Sequence, residues 1–472
     1  MVIKKIIKFL ILLKISRIFK YLIRFLHYLN CNYFIAFFIS KILYKIDSKN
    51  NLDKKKKVIF AINYERFLND ELKKISSTDK FIVYGLNHFW QTILLSVFWP
   101  PKINFNWSTY CKLDDQVFFE KADKLQREFI IRKKTRFFLE KTLFWLFKIL
   151  KVDLVLSSSF YYHADYDFGI VAKKIGYPYV VYQIDRIFGQ TNPKHLIKKL
   201  MMPIGKFRGT HMIVPDLITK NIMLEEKFIQ KQNISFLGQV RMDHYLEKLK
   251  NIDHKITVNK KRKRVTLFSF MPSVGIKSRF GINSFPDDKN IGFSKLFDSV
   301  HLSFFDLAYN NSEIEFVIKT KWDSYWKENI IKLGKQAGYN INLMPNLIIT
   351  SDINSHDLIF SSNVLSGFSS VSIIESALAK KPMIVPLFNH LIKDEYKDSI
   401  GFYKQYYLFD HPINENEYKE KIIYRLNESN YTIDEKNYKE VEKLFELFVS
   451  PLDGNALEKI SNKLNEIINL HS

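Results

Sequence analysis

The chain has 472 residues, enough for two or three compact units, and its 47% hydrophobic and 15% aromatic residues supply sizeable cores. Gly and Pro are sparse, which excludes fibrous and low-complexity architectures. The formal net charge of +23 favours an anionic partner: nucleic acid, an anionic membrane or a phosphorylated substrate. The two cysteines, Cys31 and Cys111, lack CxxC spacing, so we expect a reducing compartment and neither a zinc site nor a disulfide framework.

The first 52 residues form a basic, amphipathic segment. Apolar residues recur at helical spacing through residues 3–13, with lysines interleaved, and basic residues continue to Arg24. The longest charge-free run, residues 25–40, is too short for a transmembrane helix, and no signal-peptide cleavage site follows it. We therefore predict basic helices on an anionic membrane surface, with the protein cytoplasmic and peripheral on the inner face of the membrane. A helical hairpin packed on the first domain is the alternative.

Two stretches of alternating strands and helices follow. Residues 53–250 carry short apolar runs of buried-strand type, from Val58–Ile62 to Ser235–Leu237, and residues 262–436 repeat this pattern. Strand, helix and strand at this spacing indicate parallel βαβ units. The sequence thus predicts an α/β fold with two Rossmann-like parallel-sheet domains facing a cleft and a C-terminal helix over 437–472. Ligands of such sheets bind at the carboxyl ends of the strands.

The segment 363–386 combines the features of a phosphate site. A strand ends at Ser366, Gly367 permits a sharp turn, and Ser369 and Ser370 open a helix that carries Glu375. Free N–H groups and the helix dipole attract phosphate, and the glutamate is placed to accept from ribose hydroxyls. The alternative is a serine cap on an ordinary core helix, with a solvated glutamate.

This segment resembles the donor site of GT-B glycosyltransferases and of the related CDP-glycerol glycerophosphotransferases, in which a Ser-Ser helix start precedes an acidic residue and "K-P". Ser235–Asp243 is similar to the "G-x-P-R-x-D" segment of this family, Phe316–Lys319 to its "v-i-K-p-H-p" strand, and Tyr396–Tyr403 to its "Y-x-x-x-x-G-F-Y" segment. The matches follow the family's order. The resemblance implies a metal-independent transferase of surface carbohydrate that takes a nucleotide-activated donor as substrate and needs no cofactor.

Two basic residues are candidates for the donor phosphates. Lys319 ends a predicted strand and is expected to neutralise a phosphate as a point charge. Arg241 is expected either to bind phosphate or to pair with Asp243.

The chain departs from the family at two points. Retaining GT-B enzymes carry two spaced glutamates, and the first would fall at Gly367, so an inverting mechanism is favoured. Both histidines of the glycerophosphotransferases are missing, from the segments Tyr182–Arg186 and Lys319–Lys321. Sugar transfer is therefore favoured over polyol-phosphate transfer.

An inverting transferase needs a general base near the acceptor hydroxyl, supplied here by the first domain. Glu65 and Asp185 each follow a predicted strand and are predicted as catalytic, with His163 and Asp165 as further candidates. Asp165 and Asp167 have the D-x-D spacing of a metal site, but they begin a helix, where acidic residues are favoured anyway. No metal is predicted.

We predict a glycosyltransferase that moves a sugar from a nucleotide-activated donor to a surface polysaccharide, such as capsule or lipopolysaccharide, or to a lipid-linked glycan. The alternatives are a polyol-phosphate transferase or a sugar-nucleotide epimerase on the same fold, and a scaffold without turnover. Nucleic-acid binding is suggested only by charge, and no zinc finger, RNP-type motif or Walker loop accompanies it.

Overall fold

A computed structural model describes residues 18–46, 56–67, 71–99, 127–161, 163–184, 194, 201, 205–251, 262–270, 293–320, 324–392, 394–397 and 400–471. The chain divides into two compact units. The first unit comprises residues 1–186, 197–243 and 453–472, and the second comprises residues 187–196 and 244–452.

Twelve strands are seen in the described residues, seven in the first unit and five in the second. They are β1 Tyr44–Ile46, β2 Lys57–Ile62, β3 Phe81–Leu86, β4 Leu154–Ser157, β5 Tyr179–Tyr182, β6 His211–Val214, β7 Ile234–Phe236, β8 Arg264–Phe268, β9 Glu315–Lys319, β10 Leu347–Thr350, β11 Val364–Gly367 and β12 Met383–Ile384.

The helices connect these strands or flank them. They are α1 over residues 18–28, and α2 Asn32–Ile42, α3 Glu71–Ser77, α4 His88–Leu95, α5 Arg127–Leu150, α6 His163–Lys174, α7 Leu217–Glu225, α8 Val240–Asn251, α9 Phe293–Asn310, α10 Ser324–Gln336, α11 Ser355–Ser361, α12 Ser372–Leu378, α13 Asp394–Lys397, α14 Glu415–Asn427, α15 Glu435–Phe448 and α16 Ala456–His471. Short 3₁₀ turns lie at Tyr64–Arg66, Lys231–Asn233, Ile341–Leu343 and Tyr403–Leu408.

The first sheet has the strand order β1-β3-β2-β4-β5-β6-β7. Only β1 is antiparallel, paired with β3 at one edge, and all other neighbours are parallel. Every residue of β4, β5 and β6 is buried. Because crossover connections cover both faces of a parallel sheet, its strands are apolar throughout rather than alternating.

The second sheet is fully parallel, with the order β10-β9-β8-β11-β12. The chain runs outward from β8 through β9 to β10, then returns to the other side of β8 for β11 and β12. This arrangement is Rossmann-like and confirms the predicted fold class of two parallel-sheet α/β units.

The carboxyl end of the chain differs from the prediction. The stretch 437–472, expected to be one helix, contains two helices: α15 in the second unit and α16 in the first. At the amino end, residues 1–17 of the predicted basic segment lie outside the described residues, whereas α1 and α2 are helical as expected. No helix in the described part of the chain is long and apolar enough to cross a membrane.

The last helix, α16, completes the core of the first unit. Its apolar side chains at helical spacing are buried in the same cluster as strands β2 and β4; they are Ile460, Leu464, Ile467 and Ile468. Asp243, in the first turn of α8, holds the start of this helix, because its carboxylate accepts from the N–H groups of Ala456 (2.9 Å) and Leu457 (2.8 Å). A side chain more than two hundred residues away in sequence therefore caps α16.

The Asp243 cap is tested by Asp243→Ala, which leaves two helix-start N–H groups without their acceptor. We expect the free energy of unfolding to fall by about 1–2 kcal/mol, measured by urea denaturation. Asp243→Asn, which keeps an acceptor oxygen, should lose clearly less. Equal losses for the two variants would contradict the cap.

Candidate functional site

The second sheet has a topological switch point between its neighbouring strands β8 and β11. The connection after β8 leads to β9 on one side, and the connection after β11 leads to β12 on the other. Open parallel sheets bind ligands in the crevice that such a reversal leaves at the carboxyl ends of the strands. Gly367 and Lys319 are both register partners of Phe268, so the ends of β11 and β9 flank the end of β8 at one level. The predicted donor-site residues after these strands therefore lie at this edge.

The turn after β11 is made by a serine and not by the glycine we expected. Gly367 is the last residue of β11 and is not in the left-handed region, whereas Ser369 is, with φ of 48°. A Cβ atom at Gly367 would lie 3.3 Å from the Met383 side chain and 3.4 Å from Phe268 Cβ. The glycine therefore permits close packing between strands, and Ser369 carries the backbone strain of the turn.

Both serines of the predicted phosphate loop use their hydroxyl oxygens as acceptors. Ser369 Oγ accepts from the Gly401 N–H at 3.0 Å, and Ser370 Oγ accepts from the Ser372 N–H at 3.3 Å and the Ser372 hydroxyl at 2.9 Å. With Ser372 as the donor in this hydroxyl pair, neither Ser369 nor Ser370 donates its own hydroxyl hydrogen to another described residue. Each serine therefore keeps one donor for a ligand at this edge.

Glu375 is buried in α12, with 4% of its surface exposed, and not solvated as an ordinary helix residue would be. Its carboxylate lies 3.7 Å from Nε2 of His356, at the start of α11. Its main-chain carbonyl accepts a hydrogen bond from the Tyr245 hydroxyl, whose ring stacks on Phe360. The Glu375 carboxylate thus lies beside the His356 ring, a neighbour that the sequence pattern did not indicate. The role of Glu375 in binding a ribose stays a prediction.

Lys319 ends β9, as predicted, and its ammonium group joins two loops. Nζ donates to the main-chain carbonyls of Thr320 at 3.0 Å and Ser351 at 2.6 Å. Burial lowers the pKa of Lys319, and the Asp352 charge opposes this effect. An ammonium has three N–H donors, so these two bonds leave one for an anion.

The first sheet has its own switch point, between β2 and β4. Ala61 pairs with Leu156, so Asn63 and Ser158 follow the two strands at matching positions. Both side chains are buried, at 4% and 0% exposed, and neither Asn63 Oδ1 nor Ser158 Oγ has a hydrogen-bond partner in the described structure. Asn63 is also held in the left-handed region, with φ of 50°. Buried polar atoms without partners are costly, so a water molecule or a polar ligand would complete the bonding of this pair.

Glu65, a predicted catalytic residue, lies two residues beyond Asn63 in the 3₁₀ turn after β2. It is exposed, and its Oε2 accepts from the His88 N–H at 3.1 Å at the start of α4. Asp185, the other predicted base, lies outside the described residues. For His163 only the backbone, at the start of α6, is described.

The two aspartates with D-x-D spacing are bonded to other side chains of the first unit. Asp165 accepts from Gln91 Nε2 at 2.7 Å, and Asp167 forms buried ion pairs with Arg132 at 3.1 Å and with Arg136 at 2.5 Å. In the described residues, no group of three or more His, Cys, Asp and Glu side chains could hold a metal ion. Asp167 thus connects α6 to α5, and Asp165 connects α6 to α4. Because a buried charge needs such partners, these bonds account for both aspartates.

Arg241 lies in the first unit, at the start of α8, and does not pair with Asp243, whose carboxylate caps α16. Its Nε donates to Gln239 Oε1 at 2.8 Å, and Gln239 Nε2 in turn donates to the Ile184 carbonyl at 2.6 Å. The chain connects these residues to β5 and β7, so Arg241 stands near the carboxyl ends of the first sheet. Its phosphate role stays a prediction.

A network that the sequence did not reveal lies directly after β8. Trp326 Nε1 donates to Ser269 Oγ at 2.9 Å, and Ser269 Oγ lies 2.8 Å from His301 Nε2. His301 Nδ1 lies 2.6 Å from the Phe297 carbonyl, which can only accept, so we place the ring hydrogen on Nδ1. Ser269 then donates to Nε2. This network fixes the first residue after β8 at the switch point.

No protein-family model matches the chain, and no curated protein is significantly similar to it. Several solved structures align over most of its length. A UDP-GlcNAc 2-epimerase from Neisseria meningitidis bound to UDP-GlcNAc is 13% identical, with 87% of this chain and 100% of that chain covered and a TM-score of 0.44. MnaA from S. aureus with UDP is 13% identical, with 88% and 97% covered and a TM-score of 0.46. The wall teichoic acid polymerase TagF is 11% identical, with 88% and 90% covered and a TM-score of 0.45. Similarity at this level assigns no activity to the chain.

The left-handed turn at Ser369 is tested by three substitutions. Ser369→Ala loses the bond from the Gly401 N–H and keeps the strain, so the free energy of unfolding should fall by about 1 kcal/mol. Ser369→Gly loses the same bond but relieves the strain, and should stay within about 0.5 kcal/mol of the natural chain. Ser369→Val should be the least stable. A glycine variant that is as unstable as the alanine variant in urea denaturation would contradict the strained turn.

The buried His301 predicts a pH dependence of the second unit. Burial lowers the pKa of His301 from 6.5 to about 4, so the folded unit keeps it neutral while the unfolded chain takes up a proton. The free energy of unfolding should therefore fall as the pH drops from 6.5 to 4, by up to about 3 kcal/mol for this group.

The matched variant is His301→Gln, which has no titrating ring. It should be less stable than the natural chain at pH 7 but lose less stability between pH 6.5 and pH 4. Urea denaturation followed at several pH values measures the difference. Parallel pH profiles for the two proteins would exclude His301 as the titrating group.

Proposed function

We propose that the chain is a glycosyltransferase that binds a nucleotide-activated sugar at the switch point of the second sheet. The observation that carries the proposal is the loop of Ser369 and Ser370 beside the ends of β8 and β9. Each serine has a hydroxyl hydrogen free for a ligand. Lys319 ends β9, which is separated from β11 by one strand, β8. Two strand spacings are about 10 Å, a width that the two phosphates of a nucleoside diphosphate and a lysine side chain can span. The resemblance of the same segment to GT-B donor sites supports this assignment.

The proposed acceptor site is the switch point of the first sheet. Asn63 and Ser158 supply buried polar atoms that lack partners in the described structure, and Glu65 supplies an exposed carboxylate after the same strand. Hydroxyl groups of a glycan can both donate and accept, so they can satisfy such atoms. Glu65 is the proposed general base, and Asp185 remains the other candidate.

The proposed reaction is a single displacement with inversion. The base takes the proton of an acceptor hydroxyl, whose oxygen bonds to the anomeric carbon of the sugar while the bond from that carbon to the diphosphate oxygen breaks. The nucleoside diphosphate leaves with the electron pair, and its charge is stabilised by Lys319 and by the hydroxyl and N–H donors of the Ser370 loop. We propose that neither a metal nor a cofactor takes part.

The acceptor class follows from the same resemblance. We propose a surface polysaccharide, such as capsule or lipopolysaccharide, or a lipid-linked glycan. A nucleotide-activated donor and a lipid-linked acceptor would meet at the inner face of the cell membrane, where we place the protein. The basic segment at the amino end supports that location.

Nucleotide binding tests the donor site. The natural chain should bind one of UDP, GDP, CDP, CMP and ADP in isothermal titration calorimetry. Ser370→Ala should weaken that binding by about tenfold, because a hydrogen bond to a charged phosphate is lost. Ser370→Glu should abolish binding, since it sets a negative charge against the phosphates. Ser312→Ala, an exposed serine before β9 at the opposite edge of the same sheet, is the control and should bind normally.

The outcomes separate the alternatives. A CDP preference would favour polyol-phosphate transfer, and conversion of a UDP-sugar without any acceptor would identify an epimerase. Failure of all five nucleotides to bind, or normal binding by Ser370→Glu, would contradict the donor site.

A further inference from the structure

The amino-terminal helices and α5 are apolar on two opposite sides. In α2, Ile35, Ala36 and Ile39 are buried against the body of the first unit. The other side of the same helix exposes Phe34, at 64%, together with Phe37 and two further aromatic residues. Helix α1 repeats this arrangement, with Ile23 buried and Phe25 exposed by 60%. A helix on the surface of a globular protein normally has a polar outer side.

The long helix α5 adds a third stripe of the same kind. Ile130, Phe137, Phe144 and Trp145 recur at helical spacing on its exposed side. On its inner side Phe138, Leu139, Leu143, Leu146 and Phe147 are buried. Stripes of exposed large apolar side chains thus lie on three helices of the first unit: α1, α2 and α5.

Ring contacts join these stripes into one surface. Tyr33 of α2 contacts Trp145 of α5, with ring centres 5.6 Å apart. Phe38 of α2 contacts both Phe19 of α1, at 4.9 Å, and Trp90 of α4, at 6.3 Å. We call this surface the aromatic face; its exposed members are Ile18, Tyr21, Leu22, Phe25, Tyr28, Leu29, Tyr33, Phe34, Phe37, Phe38, Phe89, Ile130, Phe137, Phe144 and Trp145. A continuous apolar surface of this kind marks an interaction site.

The fully exposed charges of the aromatic face are positive, and the partly exposed Glu140, three residues after Phe137 and four before Phe144, is paired with Lys174 at 2.6 Å. In the described parts of α1, α2 and α5, every charged residue that is fully exposed is a lysine; they are Lys41, Lys133, Lys134, Lys141 and Lys148. Several lie over the rings of the face: Lys41 over Phe37 at 5.0 Å, Lys141 over Phe137 at 5.5 Å and Lys148 over Phe144 at 4.2 Å. The sequence from residue 1 to residue 46 contains nine Lys and Arg and no Asp or Glu.

We propose that the aromatic face is the membrane-binding surface of the protein and that it lies on an anionic lipid bilayer. Aromatic rings partition to the boundary between headgroups and acyl chains, and lysines carry their charge into the headgroup layer on long apolar stems. Exposed lysines in excess over a single paired glutamate, Glu140, favour an anionic leaflet, whereas a second copy of this chain would meet the same positive charge. The predicted membrane-binding surface is thereby extended from the basic segment to α5, which begins at Arg127.

The proposal is tested by sedimentation of the full-length protein with vesicles, without nucleotide. The protein should bind vesicles of phosphatidylcholine and phosphatidylglycerol, bind phosphatidylcholine alone more weakly, and be released by salt. The double variant Phe144→Ser/Trp145→Ser should bind the anionic vesicles about tenfold more weakly, because two rings no longer enter the lipid. Lys141→Glu/Lys148→Glu should lose the preference for anionic lipid.

Two matched variants serve as controls. Tyr309→Ser/Leu343→Ser removes two apolar side chains of the second unit that are more exposed than Phe144 and Trp145, and Lys332→Glu/Lys335→Glu reverses two exposed charges on α10. Both should bind vesicles like the natural chain. Thermal unfolding of each variant identifies any that is misfolded, in which case the pair Phe34→Ser/Phe37→Ser on α2 replaces the α5 pair.

Several results would overturn the proposal. They are equal binding of the natural chain and the double-ring variants, equal loss in the control variants, and a dimer in analytical ultracentrifugation that the double-ring variants dissociate. The last result would assign the aromatic face to a second copy. Because no nucleotide is present, failure here leaves the donor site untouched, and failure of nucleotide binding leaves this test untouched.

Discussion

Parallel strand pairing is the constraint on which the rest of the molecule depends. A parallel pair cannot be closed by a tight turn, so each pair needs a crossover that covers one face of the sheet. The strands are therefore buried on both sides, and their carboxyl ends collect at a single edge. In both units the connections reverse direction beside the first parallel strand, β2 or β8, and leave a crevice there. The residues that directly follow the strands determine which ligand groups each of these two edges can bind.

The polar groups at the carboxyl ends of the two sheets differ in their hydrogen bonding. In the second unit, polar groups after β8 and β9 are bonded within the protein, through the Ser269–His301 pair and the Lys319 ammonium. These bonds fix the strand ends and leave the serine loop after β11 to supply donors. In the first unit, the side-chain oxygens of Asn63 and Ser158 have no partners in the described structure. The first edge is thus suited to a ligand that both donates and accepts, and the second to an anion.

The sequence was sufficient to predict the strands other than β1 and their parallel pairing, because uninterrupted apolar runs such as Tyr179–Tyr182 are typical of strands buried on both faces. It also placed Lys319 at a strand end. Ser369 and Ser370 were expected to open a helix, but α12 begins at Ser372 and the two serines form the turn before it. The sequence was not sufficient where the decisive partner is distant in the chain. The cap of α16 by Asp243, the burial of Glu375 beside His356 and the bonds of Asp167 to two arginines all join segments that carry no common pattern. The sequence suggests Gly367 for the left-handed residue of this turn, because glycine is the usual residue there. In the structure Ser369 is the left-handed residue, and Gly367 is instead required because a Cβ atom would crowd Met383 and Phe268.

Hydrogen–deuterium exchange measured with each nucleoside diphosphate tests the donor site of the second unit, because it locates binding as well as detecting it. We expect one nucleotide to slow exchange in peptides covering residues 368–374, after β11. Peptides covering residues 63–66 and 158–160 of the first unit should be unaffected until a glycan acceptor is added. Slower exchange at the first-unit peptides with nucleotide alone, with residues 368–374 unchanged, would place nucleotide binding in the first unit and exclude the proposed donor site.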